Sequence, residues 1–171
     1  MAHTRFFILF WLLASIYYSG GYAQNRQAAL VTDVTLSVSG EVARPLKLSA
    51  ADFAKLSRRT VRAKDHSGKE STYEGTPLIE VLQLAGVTLG ESLRGKNLAL
   101  YLVVEAADGY RAVFALPELD PAFTDRVILI ADRKDGNPLA AAEGPLRIVI
   151  PDEKRQARWV RQVTSLIIRR A

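Results

Sequence analysis

An apolar run at the amino terminus limits which residues can belong to the folded domain. The run covers residues 6–18, follows the single cation Arg5 and precedes small side chains at Gly21 and Ala23. This order is typical of a secretory signal peptide, so we expect cleavage after residue 23. The alternative is an uncleaved anchor, although the run is shorter than the about 20 apolar residues of a transmembrane helix.

The predicted signal peptide also indicates the cellular compartment of the protein and the route by which it is exported. Arg5 is the only cation ahead of the apolar run, so a twin-arginine signal, which exports folded proteins, is not expected. The general route threads an unfolded chain through the membrane. We therefore predict a periplasmic or secreted protein with no stable membrane span after cleavage.

The chain contains no cysteine, and His66 is its only histidine outside the predicted signal. Disulfides, thiolate metal ligands, cysteine nucleophiles and c-type haem attachment are therefore excluded. A zinc site that needs several histidines is excluded as well. The fold must rest on an apolar core, for which a domain of about 150 residues is large enough.

The charge balance is mildly basic. The formal charge is +5, and cleavage after residue 23 would remove Arg5 and no acid, which leaves +4. Outside the cytoplasm such a charge favours anionic small molecules, anionic lipid head groups or simple solubility over nucleic acid. We expect no nucleic-acid partner.

The remaining chain has no internal repeat and no linker, so we predict a loose leader over residues 24–33 and one domain over residues 34–171. Alternating or continuous apolar runs predict strands at residues 34–39, 60–64, 71–74, 98–105, 110–116, 127–131, 146–150 and 163–168. Turns are predicted at residues 66–69, 107–109 and 135–138. This pattern indicates an α+β domain with mixed or antiparallel sheets and a few short helices.

Two short helices have recognisable ends. Ser49 and Asp52 form a capping-box pattern that predicts a helix through Leu56. The second helix is predicted with Thr76 as N-cap and Pro77 at its first position, and Gly86 closes it.

Two possible functional motifs are not supported. Residues 132–143 begin with Asp and end with Glu like a calcium loop, but Lys134 occupies a ligand position and glycine is displaced from the sixth. His66 lies among polar turn residues, where a solvated side chain is the simpler interpretation than a catalytic base. We predict neither a metal ligand nor a catalytic residue.

A basic segment at residues 152–161 is the best candidate binding site. The candidate residues are Lys154, Arg155 and Arg158, with Arg147, Tyr110 and Arg111 as possible contributors from neighbouring strands. If the segment turns helically, Arg155 and Arg158 share a face while Trp159 anchors the segment in the core. Clustered guanidinium groups are suited to phosphate, sulfate or carboxylate. A solvated basic face with a buried tryptophan remains the alternative.

Six motifs occur in an order that resembles a known family. They lie at residues 73–86 (YEGTPLIEVLQLAG), 107–111 (ADGYR), 128–132 (ILIAD), 135–139 (DGNPL), 144–151 (GPLRIVIP) and 155–160 (RQARWV). Together they resemble, over about residues 34–168, the molybdopterin-binding domain of sulfite-oxidase-type oxidoreductases. The resemblance implies the mixed α+β fold of that family. It also implies that Arg155 and Arg158 occupy positions where basic side chains meet the pterin phosphate.

The sequence departs from the family's enzymes in three ways. Their molybdenum-binding cysteine lies on a loop that corresponds to residues 64–67, and this chain has no cysteine. Their upstream segment with a pterin-binding histidine has no counterpart before the first predicted strand. Molybdopterin is inserted in the cytoplasm, and a chain exported unfolded could not carry it.

Two functional hypotheses follow. In the first, the chain is a non-catalytic extracytoplasmic module without cofactor, which binds a small anionic ligand or a partner protein of the cell envelope through an arginine-lined cleft. In the second, it is a small molybdopterin-dependent oxidoreductase whose metal is held by the dithiolene alone, by an Asp65 oxygen or by the His66 imidazole.

Overall fold

The alternating apolar residues of this chain form two β-sheets, each with one face in the core. The computed structural model describes residues 34–171. The strands are β1 (Val34–Gly40), β2 (Leu46–Ser49), β3 (Arg59–Lys64), β4 (Glu70–Pro77), β5 (Leu100–Ala106), β6 (Arg111–Ala115), β7 (Leu129–Lys134), β8 (Asn137–Pro138), β9 (Arg147–Val149) and β10 (Val163–Arg170). The α-helices are α1 (Ala50–Phe53) and α2 (Leu78–Leu84). Four 3-10 turns occur at Gly90–Ser92, Gly95–Ala99, Leu116–Glu118 and Gln156–Arg158.

The first sheet has the strand order β2-β1-β10-β5-β6, and its pairs are antiparallel except for the parallel pair β1 and β10. The second sheet has the order β3-β4-β7-β8, with β9 also paired to β7, and all of its pairs are antiparallel. The predicted mixed α+β class is therefore confirmed. None of the helices within residues 34–171 is long and apolar enough to cross a membrane.

The core lies on the inner faces of both sheets and under α2. In the first sheet the fully buried side chains include Leu36, Leu102, Phe114 and Leu166. They come from four different strands. On each strand, residues two apart point to the same face, so the four strands present their apolar side chains to one side of the sheet. This burial, without any disulfide, holds together the elements that carry the candidate site.

Both helices differ from the prediction at one end. The Ser49 and Asp52 capping box is present, but α1 ends at Phe53 instead of Leu56. The second helix has Pro77 as its N-cap, without a side-chain cap, so Thr76 is not the cap. Thr76 instead pairs with β7 as part of β4, because the strand continues up to the helix.

Several strand limits also differ from the prediction. β5 begins at Leu100, after a 3-10 turn, and β7 covers Leu129–Lys134 instead of residues 127–131. The sequence pattern does not predict the short strands β2 and β8. The predicted signal peptide (residues 1–23) and leader (residues 24–33) lie outside the described residues.

Candidate functional site

A groove of about 790 Å³ lies between the β3–β4 turn and the segment before the last 3-10 turn. We call it the groove and define it by residues 62–70 on one side and residues 151–157 on the other. It therefore brings together two regions that are some 90 residues apart, among them His66, Lys154 and Arg155. Within residues 34–171 this cavity is lined by two of the predicted basic residues, Lys154 and Arg155, and by residues of the 64–67 loop.

Hydrogen bonds fix the two walls of the groove. In the β3–β4 turn, the Asp65 carboxylate accepts bonds from the Ser67 amide (2.9 Å) and the Lys69 amide (3.1 Å). The Ser67 hydroxyl and these amides lower the pKa of Asp65, so the turn is held by an ionised carboxylate. The Gln156 side-chain amide donates across the groove to the Lys64 carbonyl. The walls are thus tied to each other at one point.

Arg158 lies against the first sheet and is neutralised by two carboxylates. Its guanidinium donates to Glu118 (3.0 Å) and to Glu153 (2.8 Å), and it lies 4.6 Å from the centre of the Phe114 ring. Burial lowers the pKa of Arg158, but the bonds to Glu153 and Glu118 outweigh that effect and raise it. Because two acids already bind this guanidinium, it is not a free cation.

The acidic groups of the groove are paired with cations. These ion pairs are Asp65 with Lys134 (3.7 Å), Asp152 with Arg126 (3.0 Å), Glu153 with Arg158 (2.5 Å), and Glu70 with Arg62. Burial lowers the pKa of Lys134, but Tyr73 and the carboxylates of Glu143 and Asp65 outweigh burial and raise it. The acids of the groove are therefore already compensated.

Three cations of the groove have no such partner. Lys64, Lys154 and Arg155 are exposed and line the groove, and within residues 34–171 their side chains form no ion pair or hydrogen bond. The predicted residues Lys154 and Arg155 are thus placed in one cavity. Lys64 completes the set; the sequence predicts it at the end of a strand and at the start of the 64–67 loop, but not as a binding residue.

Arg147 and Trp159 belong to the core. Trp159 is 4% exposed, as predicted, and its ring meets the Tyr73 ring edge-on at 5.7 Å. Arg147 is 5% exposed, pairs with Glu143 (2.5 Å) and lies 5.2 Å from the centre of the Trp159 ring. Buried Arg147 packs against Trp159 of the basic segment. Arg147 itself therefore lies outside the groove.

Tyr110 and Arg111 also lie outside the groove. The Tyr110 hydroxyl donates to the Ala157 carbonyl (2.7 Å), and Arg111 pairs with Glu105 (2.7 Å). Tyr110 therefore ties the basic segment to the chain just before β6. The structure brings together Lys154 and Arg155 from the predicted set and disperses the other four residues.

Comparison of the sequence with known protein families identifies the family of this chain. A family model described as the oxidoreductase molybdopterin-binding domain matches residues 24–170. The chain belongs to this family. No curated protein matches the sequence significantly.

A solved structure has the same fold. It is the crystal structure of the sulfane dehydrogenase SoxCD from Paracoccus pantotrophus, with a TM-score of 0.61 and 22% sequence identity. The match covers 78% of this chain and 37% of that chain, so this chain corresponds to part of the larger protein. The resemblance inferred from the six motifs is therefore confirmed for the family and for the fold.

The side chains at the groove do not fit a molybdenum centre. The sequence supplies no thiolate, and within residues 34–171 no group of three His, Cys, Asp or Glu side chains could hold a metal ion. His66 and Asp65 are both at the groove, but Asp65 is engaged by its own turn. Hard oxygen or imidazole ligands would not reproduce the chemistry of a soft thiolate.

Proposed function

We propose that this chain is a non-catalytic, extracytoplasmic member of the molybdopterin-binding domain family that binds a small anionic ligand. The ligand is free, or it is an anionic group of a partner protein in the cell envelope. The observation that supports this proposal is the imbalance in the groove, where the acids are paired and Lys64, Lys154 and Arg155 are not. The order of residues 1–23 supports the extracytoplasmic location.

The three cations are suited to an oxyanion for a physical reason. They come from two walls that a cross-groove hydrogen bond holds together, so three like charges that repel one another share one groove. An oxyanion can accept hydrogen bonds from an ammonium group and from a guanidinium fork at the same time. Anion binding would therefore relieve the repulsion and link the two walls.

Arg158 is not included in this ligand set. The resemblance implied a role for Arg158 at the pterin phosphate, and that role remains a prediction from the resemblance alone. In this chain its guanidinium already binds Glu118 and Glu153, and an external anion would compete with both carboxylates. We assign ligand binding to Lys64, Lys154 and Arg155.

Thermal unfolding in different salts tests the proposal. Phosphate or sulfate at millimolar concentration should raise the Tm by more than sodium chloride of equal ionic strength does. Arg155→Ala with Lys154→Ala should abolish this excess, whereas Lys47→Ala, at an exposed lysine of β2, should preserve it. Arg158→Ala should lower the Tm in every salt and still leave the phosphate excess. Equal effects of phosphate and chloride on the native protein would refute the proposal.

The family match supports a second candidate function, a small molybdopterin-dependent oxidoreductase. Metal analysis of protein purified from its native compartment separates the two candidates. We expect no stoichiometric molybdenum and no pterin absorbance. One molybdenum atom per chain would replace the binding proposal with the enzymatic one.

A further inference from the structure

Strand β3 is an edge strand of the second sheet. Within residues 34–171 it pairs only with β4, and the register is regular over all six of its residues. At the turn that follows, the Asp65 amide donates to the Lys69 carbonyl (2.8 Å), which fixes the alternation of the ladder. The main-chain groups that face β4 therefore belong to residues 59, 61 and 63. Those that face away from β4 belong to residues 60, 62 and 64.

The outward edge of β3 borders the groove. The Gln156 side-chain amide donates to the Lys64 carbonyl, at a position where an amide of an adjacent strand would bind. Arg62, Ala63 and Lys64 line the same groove. Within residues 34–171, the outward main-chain groups of Thr60 and Arg62 form no hydrogen bond. In this part of the chain the edge is therefore occupied at one end and open along the rest.

Strand β6, at one edge of the first sheet, is covered by side chains instead. Its Ala115 amide donates to the Glu118 carboxylate (2.8 Å), and its Val113 carbonyl accepts a bond from Arg158 (3.5 Å). A regular edge without such cover is a template on which another extended chain can pair. β3 contains neither a proline nor a bulge that would prevent this pairing.

The side chains of β3 limit which chain can pair with it. One face is exposed and carries Thr60, Arg62 and Lys64, and the other face carries the less exposed Val61 and Ala63. A second copy of β3 would bring the cations of two strands together, and like charges opposite each other destabilise a strand pair. Acidic side chains at the same positions would stabilise it. A suitable strand therefore alternates acidic residues with apolar ones.

We propose that β3 binds an extended acidic segment of a partner protein as an additional strand of the second sheet. The segment would form main-chain hydrogen bonds with residues 60–64 and place its carboxylates near Lys64 and near Lys154 and Arg155 on the facing wall. The proposal rests on the proposed function, because the same three unpaired cations supply the preference for acids. It adds recognition of the main chain, so the anionic ligand is part of a polypeptide.

N-methylated peptides test the main-chain hydrogen bonds. The probe is a seven-residue peptide in which glutamate and valine alternate. Two further forms carry N-methyl groups on the glutamates only or on the valines only. The three peptides have the same charge, but in a strand every second residue directs its amide to a given neighbour. Calorimetry should show saturable binding of the parent peptide, and one methylated form alone should have its Kd raised roughly tenfold or more. The matching lysine–valine peptide should not bind.

Proline substitutions test the edge of β3. The amides of Thr60 and Arg62 face away from β4, so a proline removes an outward donor and leaves the ladder with β4 intact. Arg62→Pro and Thr60→Pro should each raise the peptide Kd roughly tenfold or more. Lys47→Ala, at an exposed lysine of β2, is the control and should leave the peptide Kd unchanged.

The two proposals fail with different results. Thr60 does not line the groove, so Thr60→Pro should weaken peptide binding and preserve the excess stabilisation by phosphate. Lys154→Ala with Arg155→Ala should weaken both. A phosphate excess without saturable peptide binding would overturn this inference and leave the proposed function standing. Loss of binding in both methylated forms or in neither, or an unchanged Kd in both proline variants, would also overturn it.

Discussion

At the scale of single residues, Trp159 connects the basic segment to the core. Its ring contacts Tyr73 of β4 and the guanidinium of Arg147 of β9, so one side chain joins the segment to two strands of the second sheet. Large aromatic side chains contribute strongly to core stability because they bury so much apolar area. The position of the groove wall therefore depends on Trp159.

We predict that Trp159→Ala lowers the free energy of unfolding by about 3–5 kcal/mol, because it removes a buried aromatic ring and leaves a cavity. Denaturant unfolding followed by circular dichroism measures this change. Trp159→Phe keeps a ring at the site and should cost less. A loss below about 1 kcal/mol in Trp159→Ala would contradict the anchoring role.

Some of these residue roles could be predicted from the sequence. The others could not, because they depend on contacts between residues that are far apart along the chain. An apolar ring in a basic segment predicts burial, and Trp159 is buried. The contact of Arg158 with Glu118 could not be predicted in this way, because Glu118 is 40 residues away and its carboxylate has no local signal. The same applies to Lys64, which reaches the groove only because β3 and the basic segment meet.

At the scale of elements, Gly75 allows β4 to approach β7. A Cβ atom at Gly75 would lie 2.1 Å from the Ile130 carbonyl oxygen and 2.5 Å from the Ala131 Cα. These are backbone atoms of a central strand, so they cannot move aside as the end of a flexible side chain can. The pairing register shifts between Glu74 and Gly75, which marks an irregularity at the same point.

We predict that Gly75→Ala destabilises the protein by about 1–3 kcal/mol or more, since the methyl group forces the two strands apart. Denaturant unfolding measures the effect, and amide hydrogen exchange along β7 should become faster. Thr60→Ala, at an exposed position of the neighbouring strand β3, serves as the control and should change stability by no more than about 0.5 kcal/mol. A Gly75→Ala protein as stable as the parent would show that the close approach is not required.

Elements with local sequence signals were predicted better than those that depend on distant partners. The hairpin of β5 and β6 has alternating apolar residues and a turn at Gly109, whose φ of 83° suits glycine. In contrast, β2 has four residues and depends on pairing with β1. Thr76 is of a residue type that often caps helices, yet pairing with β7 keeps it in strand β4.

At the scale of the whole molecule, we predict that the mature protein begins at Gln24, because Gly21 and Ala23 form the small-residue cleavage site. Intact-mass measurement of protein recovered from the native host checks this expectation. An Ala23→Arg variant, which blocks the cleavage position, should accumulate at the full-length mass. A native protein that retains residues 1–23 would favour the uncleaved anchor and contradict the prediction.

The parallel pair of β1 and β10 has a consequence for the timing of folding. β1 is the first described strand and β10 is the last, and β10 lies between β1 and β5 in the middle of the first sheet. While the chain is being synthesised, β1 and β5 lack their shared neighbour until residues 163–170 leave the ribosome. Contacts over such sequence separations form slowly, because a long loop must close first. We therefore expect nascent chains of this protein to stay incompletely folded for almost the whole of translation, which is the state that the proposed export of an unfolded chain requires.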